Sequence, residues 1–193
     1  GRTGEWFGFQ TYDTEPDLVT FAKAVTNGYM PLGGCLVSDK VSDVLLASGG
    51  EFAHGLTYSG HPASCAAGLA TLDVMEHTPI LETATKTLAP YFTDKLSGLG
   101  DHPIVGEVRA KGLVAAVELV RDKGSRERLA PESEAAVYCR DRAIESGLMV
   151  RQTGDAMIFS PPFVTTLEEV DALVNNLADA LDKTASHYGV HGW

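Results

Sequence analysis

The sequence has few cysteines, few basic residues and no long apolar run, and each of these shortages argues against a class of protein or partner. It contains only three cysteines and 15 basic against 26 acidic residues, with a formal net charge of −11. This negative charge disfavours nucleic acid and anionic membrane surfaces as partners of the whole chain. No apolar run approaches the ~20 residues of a membrane span, and no basic region followed by an apolar segment begins the chain as in a signal peptide. We therefore expect neither a membrane nor a nucleic-acid partner.

The cysteines Cys35, Cys65 and Cys139 lie far apart and form neither a Cys-X-X-Cys pair nor a metal-ligand pattern. They are therefore expected to be buried small side chains in a reducing compartment, which predicts a cytoplasmic protein without a metal site. Hydrophobic residues make up 44% and charged residues 21% of the 193 residues. This composition and length are typical of a soluble globular protein with one domain or two small ones.

The first part of the sequence alternates strand-like and helix-like segments. Residues 16–22 (PDLVTFA) and 32–38 (LGGCLVS) predict strands, and residues 39–50 predict a short helix that ends at two glycines. A longer helix is predicted from Pro62, because proline is well suited to the first helical position. This alternation favours a parallel α/β sheet. We assign residues 1–78 to one domain.

The second part, residues 79–193, predicts a compact α+β domain. Apolar residues at helical spacing follow Ile80, and residues 112–120 (GLVAAVELV) predict a strand. A helix that ends at Gly147 precedes two short strands around a Thr-Gly-Asp turn. The last helix begins at Thr166, where Glu169 completes a capping box.

Lys23 is a single basic residue inside the run DLVTFAKAVTNGYMPLGG. Such an ammonium either extends to the surface or takes part in chemistry. Apolar surroundings disfavour the charged form of a lysine, and the free amine attacks carbonyl groups. The glycines that follow allow a flat ligand to approach the backbone closely. Lys23 is therefore a candidate Schiff-base lysine.

The segment HGLTYSGHP, residues 54–62, is the second candidate site. Loop amides, a hydroxyl and a helix N-terminus together form a common phosphate-binding arrangement. The same residues also suit an ordinary capped helix start, so both interpretations remain open. His54 and His61 lack a third ligand at a useful spacing and are interpreted as loop or core histidines rather than metal ligands.

Arg151 follows a short apolar run in the segment LMVRQTGD. Arginine is suited to bidentate recognition of a carboxylate, although an exposed arginine at a strand end is the commoner case. Arg109 and Lys111 are interpreted as structural or solvated residues.

These segments together resemble the class III aminotransferases, which are pyridoxal-phosphate enzymes of fold type I. The resemblance covers residues 1–34, HGLTYSGHP, GEVRAKGLVAAVELV and GLMVRQTGDAMIFSPPFV, and within the family it is strongest to pyruvate-using ω-amino acid and putrescine aminotransferases. It implies an α/β fold in which residues 1–78 end the large parallel-sheet domain and residues 79–193 form the small C-terminal domain. It also implies a homodimer and pyridoxal 5′-phosphate as cofactor.

The resemblance also implies site residues. Lys23 matches the family's catalytic Schiff-base lysine, and Gly55, Leu56 and Thr57 match the loop that reaches the cofactor phosphate of the partner subunit. Arg151 matches the arginine that binds the substrate carboxylate and swings aside for amines. The family's other cofactor-binding residues precede the matched region, so we expect this sequence to be the C-terminal portion of a longer enzyme.

The function implied is transfer of an amino group from an ω-amino acid, diamine or other primary amine to a keto acid such as pyruvate. An aminomutase or racemase on the same scaffold is the nearest competing hypothesis, because one lysine moves the proton in all three reactions. The sequence is also compatible with a non-catalytic dimerisation half and with a cofactor-free Schiff-base lyase.

Overall fold

The computed structural model describes residues 1–190 of the chain, which divides into two compact units. The N-terminal unit is Phe9–Pro79, and the C-terminal unit combines Gly1–Gly8 with the chain from Ile80 onward. The assignment of residues 1–78 and 79–193 to two domains of the whole protein stays a prediction, and residues 191–193 lie outside the described residues.

The N-terminal unit has two strands and two longer helices. A helical turn, α1 (Gly8–Thr11), comes first, and all of it except Gly8 belongs to this unit. It is followed by β1 (Leu18–Ala22), a 3₁₀ turn (Lys23–Val25), β2 (Gly33–Val37), α2 (Asp39–Ala47) and α3 (Pro62–His77). The two predicted strands and the helix start at Pro62 are confirmed.

The strands β1 and β2 pair antiparallel, from Leu18 opposite Val37 to Ala22 opposite Gly33. The alternation of strands and helices had favoured a parallel sheet, and for this pair that expectation is wrong. The reason is the connection: residues 23–32 form turns, whereas a parallel pair needs a crossover of a dozen or more residues. Gly34 faces Phe21 across the pair, and a Cβ there would overlap the Phe21 ring.

The cysteines differ in burial. Cys139 in the C-terminal unit is buried, and burial raises the pKa of its thiol to about 11. Cys65 is half-buried and Cys35 is exposed on β2. The expectation that all three are buried is therefore wrong for Cys35, because the two-stranded sheet leaves β2 exposed along its length.

The C-terminal unit is an antiparallel sheet packed against helices. Its elements are α4 (Ile80–Thr83), a π-helical segment (Ala84–Leu88), α5 (Ala89–Ser97), a 3₁₀ turn (Gly98–Asp101), β3 (Val105–Lys111), β4 (Val114–Leu119), a 3₁₀ segment (Pro131–Ser133), α6 (Glu134–Glu145), β5 (Arg151–Thr153), β6 (Ala156–Phe159) and α7 (Leu167–His187). The strand order is β3-β4-β6-β5. The α+β character of this unit was predicted from the sequence, but the strand β3 was not.

The hydrophobic core lies between one face of this sheet and the helices. Along β4 the buried residues Ala115, Val117 and Leu119 alternate with partly exposed ones, so the opposite face of the sheet is open. Phe92 of α5 and Leu181 of α7 are fully buried in the core. None of the helices within residues 1–190 combines the length and apolar composition needed to cross a membrane.

The start of α7 has the predicted capping box. The Glu169 amide donates to Thr166 Oγ1 at 3.2 Å, and the Thr166 amide donates to the Glu169 carboxylate at 2.8 Å. These bonds satisfy amide groups that the first turn of a helix leaves unpaired. The prediction of this helix start is confirmed.

Arg2 attaches the first residues of the chain to the C-terminal unit. Its guanidinium donates to the carbonyl oxygens of Leu113 and Pro161 and lies 5.1 Å from the centre of the Phe163 ring. The Leu113 amide donates back to the Arg2 carbonyl oxygen at 2.8 Å. Partial burial lowers the pKa of this guanidinium. Gly112 makes the close approach possible, because a Cβ there would lie 2.5 Å from the Arg2 carbonyl oxygen.

We expect Gly112→Ala to lower the free energy of unfolding by about 2 kcal/mol, because alanine is strained at a φ of +58° and its methyl group would displace Arg2. Gly124→Ala is the matched control, since a Cβ at Gly124 meets only ordinary contacts. A urea titration of both variants measures the difference. Equal stability of the two variants would contradict the structural role of the Arg2 contact.

Candidate active site

Lys23 is the first residue after β1, where the strand gives way to the 3₁₀ turn. Its backbone is left-handed, with a φ of +54°, and its side chain is exposed. Within residues 1–190 its ammonium takes part in no hydrogen bond or ion pair. The apolar run in the sequence therefore does not enclose the amine within the part of the chain that is described, and the amine is free for a ligand.

The turn that carries Lys23 is held by several backbone bonds. The Thr26 amide donates to the Lys23 carbonyl oxygen at 3.3 Å, and the Tyr29 amide donates to the Thr26 carbonyl oxygen at 3.0 Å. Asn27 also has a positive φ, +49°. Asparagine tolerates this conformation, whereas for lysine it costs ~1 kcal/mol or more, so the Lys23 geometry persists only where its surroundings enforce it.

The helix α3 packs against this turn through small residues. A Cβ at Gly68 would lie 3.1 Å from Leu32 Cδ2 and 3.7 Å from the Val25 carbonyl oxygen. Ser64, one helical turn before Gly68, is also buried. Because neither residue has a bulky side chain, the helix axis comes close to the segment that carries Lys23.

The loop before α3 contains Gly55, Leu56 and Thr57, and all three are exposed. The Leu56 amide donates to Ser59 Oγ at 3.1 Å, and the Ser59 amide donates to the Leu56 carbonyl oxygen at 2.9 Å. Neither the amide nor the hydroxyl of Thr57 has a partner among residues 1–190. The loop thus offers unpaired donors beside a helix N-terminus, as a phosphate requires.

His61 closes this loop and caps α3. The Ser64 amide donates to His61 Nδ1 at 3.4 Å, and Pro62 occupies the first turn of the helix. This cap accounts for His61 without a metal. The capped helix start and the phosphate site are compatible, because the cap uses His61 and leaves the Thr57 donors unpaired.

Arg151 begins β5, the edge strand of the C-terminal unit. It pairs with Ile158, and the cross-strand row continues through Ala116 to Arg109 on the open face of the sheet. Arg109 is neutralised there by Glu107 and Glu118.

Arg151, in contrast, is exposed, and its guanidinium has no partner among the described residues. Arg109 was interpreted as structural or solvated, and its two ion pairs fit the first of these interpretations. Arg151 is the arginine of this row that is free to bind a carboxylate. The structure places Lys23 and the Thr57 loop in the N-terminal unit and Arg151 in the C-terminal unit.

Comparison with known proteins decides the family. The sequence profile described as aminotransferase class-III matches residues 1–181. The chain belongs to the class-III aminotransferase family. It is 44% identical over 186 residues to a putrescine–pyruvate aminotransferase of Pseudomonas aeruginosa, with 96% of the chain and 40% of that protein covered. The family predicted from the sequence is therefore confirmed.

Two solved structures show the same fold. An (S)-enantioselective omega-transaminase from Thermomicrobium roseum superposes with a TM-score of 0.88 at 42% identity, covering 95% of this chain and 41% of that one. The omega-transaminase from Pseudomonas jessenii in complex with PMP gives a TM-score of 0.90 at 36% identity, covering 100% and 43%. The α/β fold predicted for this chain is confirmed, and the chain spans about 40% of the length of these relatives.

Two contributors to the site were missed in the sequence. Thr26 is 1% exposed, and Gly68 of α3 sets the distance between that helix and the Lys23 turn. The sequence signal for Thr26 was the Thr-Asn-Gly triplet just after Lys23, which favours a tight turn. Gly68 had no comparable signal, because α3 is rich in small residues throughout.

Proposed function

We propose that the whole protein transfers an amino group from a primary amine, such as an ω-amino acid or a diamine, to a keto acid such as pyruvate. The observation that carries the proposal is the exposed, unpartnered Lys23 on a left-handed turn backed by α3. The similarity to a putrescine–pyruvate aminotransferase supports a diamine donor and pyruvate as acceptor.

The residues present fit pyridoxal 5′-phosphate. Lys23 offers an amine without a partner for the cofactor aldehyde. Thr57, with Gly55 and Leu56, offers hydroxyl and amide groups beside the N-terminus of α3 for the phosphate of the cofactor held by the partner subunit. The PMP held by the Pseudomonas jessenii relative is the aminated form of pyridoxal 5′-phosphate. This supports pyridoxal 5′-phosphate as the cofactor of this protein.

The chain's own residues have separate roles in this proposal. When bound, the cofactor supplies an electron sink that stabilises negative charge on the carbon beside the substrate nitrogen. Lys23 would hold the cofactor through Nζ and, once released, would take a proton from the amine-bearing carbon of the substrate and pass it to the cofactor carbon to which Nζ had been attached. Arg151 binds the carboxylate of the keto acid and moves aside for an uncharged or cationic amine. Its place on a three-residue edge strand leaves its side chain free to move.

We further propose a cytoplasmic homodimer in which residues 54–62 reach the partner subunit. The exposure of this loop and of Leu56 and Tyr58, at 75% and 80%, supports an additional covering surface. The free cysteines support a reducing compartment.

An isotope experiment tests the reaction. The whole protein, incubated with pyridoxal phosphate, ¹⁵N-putrescine and pyruvate, is expected to form ¹⁵N-alanine in amounts equal to the putrescine consumed. Mass spectrometry of the amino acid measures this transfer. Isomerised amine without labelled alanine would indicate an aminomutase. In a parallel incubation with added unlabelled L-alanine, its racemisation without loss of putrescine would indicate a racemase, and either result would contradict the proposal.

A further inference from the structure

We propose that Thr26 is a positioning residue for Lys23, whose buried hydroxyl closes the turn over residues 23–30 and thereby fixes the direction of the Lys23 amine. The inference rests on the proposed role of Lys23. Thr26 itself touches neither cofactor nor substrate in this proposal and acts through the turn.

The Thr26 hydroxyl has one acceptor within the described residues. Thr26 Oγ1 donates to the Met30 carbonyl oxygen at 2.5 Å. This bond joins the two ends of the segment Thr26–Met30, which includes left-handed Asn27 and Gly28. A side-chain bond of this kind replaces backbone pairing that an irregular turn cannot provide.

Burial makes this hydrogen bond consequential. Thr26 is 1% exposed, and in the N-terminal unit the other buried residues are Ser64 and Gly68 of α3. The bond to the Met30 carbonyl oxygen is partly buried, and a partly buried carbonyl that loses its donor costs more than an exposed one, because water replaces the bond only incompletely. The hydroxyl, and not merely the volume of the side chain, is therefore expected to hold the turn.

The geometry of Lys23 depends on this closure. Lys23 has a φ of +54°, which a lysine in an unconstrained chain would leave. The Lys23 carbonyl oxygen accepts from the Thr26 amide, so a shift of Thr26 is transmitted directly to Lys23. The helix α3 comes close to the same turn, since a Cβ at Gly68 would lie 3.1 Å from Leu32 Cδ2 and 3.7 Å from the Val25 carbonyl oxygen. Loss of the Thr26 bond is therefore expected to let the turn relax and to re-aim the amine.

Paired variants of the whole protein test this role. Thr26→Val removes the hydroxyl at nearly constant volume, Thr26→Ala removes it without added atoms, and Thr26→Ser keeps it. Thr184→Val is the matched control, because Thr184 is a fully buried threonine whose hydroxyl donates to the Ala180 carbonyl oxygen at 2.6 Å in the C-terminal unit.

The main readout is the pH midpoint of the absorbance change of the protein-bound cofactor, supported by borohydride labelling of Lys23. We expect Thr26→Val and Thr26→Ala to shift this midpoint by about half a pH unit or more. We also expect them to lower kcat by about 10- to 100-fold, with a smaller change in KM, because a misdirected amine is a misplaced reacting group. Thr26→Ser keeps both values near those of the unmodified protein, and Thr184→Val lowers thermal stability alone.

Three results would overturn the proposal. One is an unchanged midpoint and kcat in both hydroxyl-free variants. Another is a Thr26→Ser variant that behaves like Thr26→Val, which would assign the effect to the methyl group. The third is an unlabelled Lys23 in the unmodified protein, which would overturn the proposed function together with this inference, whereas the first two leave the proposed function intact.

Discussion

Replacing Lys23 with alanine in the whole protein is expected to lower amino transfer by about 1,000-fold or more, since the variant loses both the covalent attachment point and the proton-moving group. The fold is expected to remain, because an exposed side chain without a partner contributes little to stability. The ¹⁵N-alanine assay measures the loss of activity, and thermal unfolding measures the stability.

Lys40→Ala is the matched control for this variant. Lys40 is also an exposed lysine of the N-terminal unit, and its only ion pair, within the described residues, is with Asp17 at 3.5 Å. We expect its activity to stay within about twofold of the unmodified protein, as for most surface substitutions. A Lys23→Ala variant as active as Lys40→Ala would contradict the role of Lys23.

Replacing Arg151 with alanine is expected to raise the KM for pyruvate by about 10- to 100-fold, because a charged hydrogen-bonding partner of the carboxylate is worth roughly 1.5–3 kcal/mol. The rate of the half-reaction with putrescine is expected to change little, since that substrate has no carboxylate. An aldehyde acceptor, which also lacks a carboxylate, is expected to keep its KM. Steady-state and single half-reaction kinetics separate these effects.

Arg126→Asn serves as the control for Arg151. Arg126 is exposed and unpartnered among the described residues, and asparagine tolerates its left-handed backbone. This variant removes one positive charge from the same unit without touching the edge strand. If Arg126→Asn and Arg151→Ala raise the KM for pyruvate equally, the effect is one of net charge and the assignment of Arg151 is wrong.

The parts of the fold that depend on local sequence were predictable. Proline at the first turn of α3, the capping box of α7 and the Thr-Gly-Asp turn between β5 and β6 each act over a few residues, and the structure has all three. Each of these local features has a physical cause within the same few residues. At a helix start an amide needs an acceptor, and proline has a fixed φ.

The parts that depend on distant residues were not predictable. The antiparallel pairing of β1 with β2 follows from how residues 23–32 turn back, and the contact of Arg2 with Pro161 joins segments far apart in sequence. The strand β3 was missed because its exposed residues include charges, which pair across the open face of the sheet.

Within the candidate site, the sequence indicated which residues to consider and the structure indicated how they are held. Lys23, Thr57 and Arg151 were proposed from motifs, but the left-handed φ of Lys23 and the closure of its turn by Thr26 were not visible in the sequence. The distinction between Arg151 and Arg109 required the pairing register, which places both on one face of the sheet. Within residues 1–190, Arg109 is neutralised there by two glutamates and Arg151 is not.

The most direct test of the role of Lys23 is borohydride reduction of the whole protein with pyridoxal phosphate, followed by mass spectrometry of its peptides. We expect a phosphopyridoxyl group on the peptide that contains Lys23, and no such group on that peptide in the Lys23→Ala variant. An unlabelled Lys23, or labelling of another lysine such as Lys40 at the same level, would contradict the central claim that Lys23 holds the cofactor.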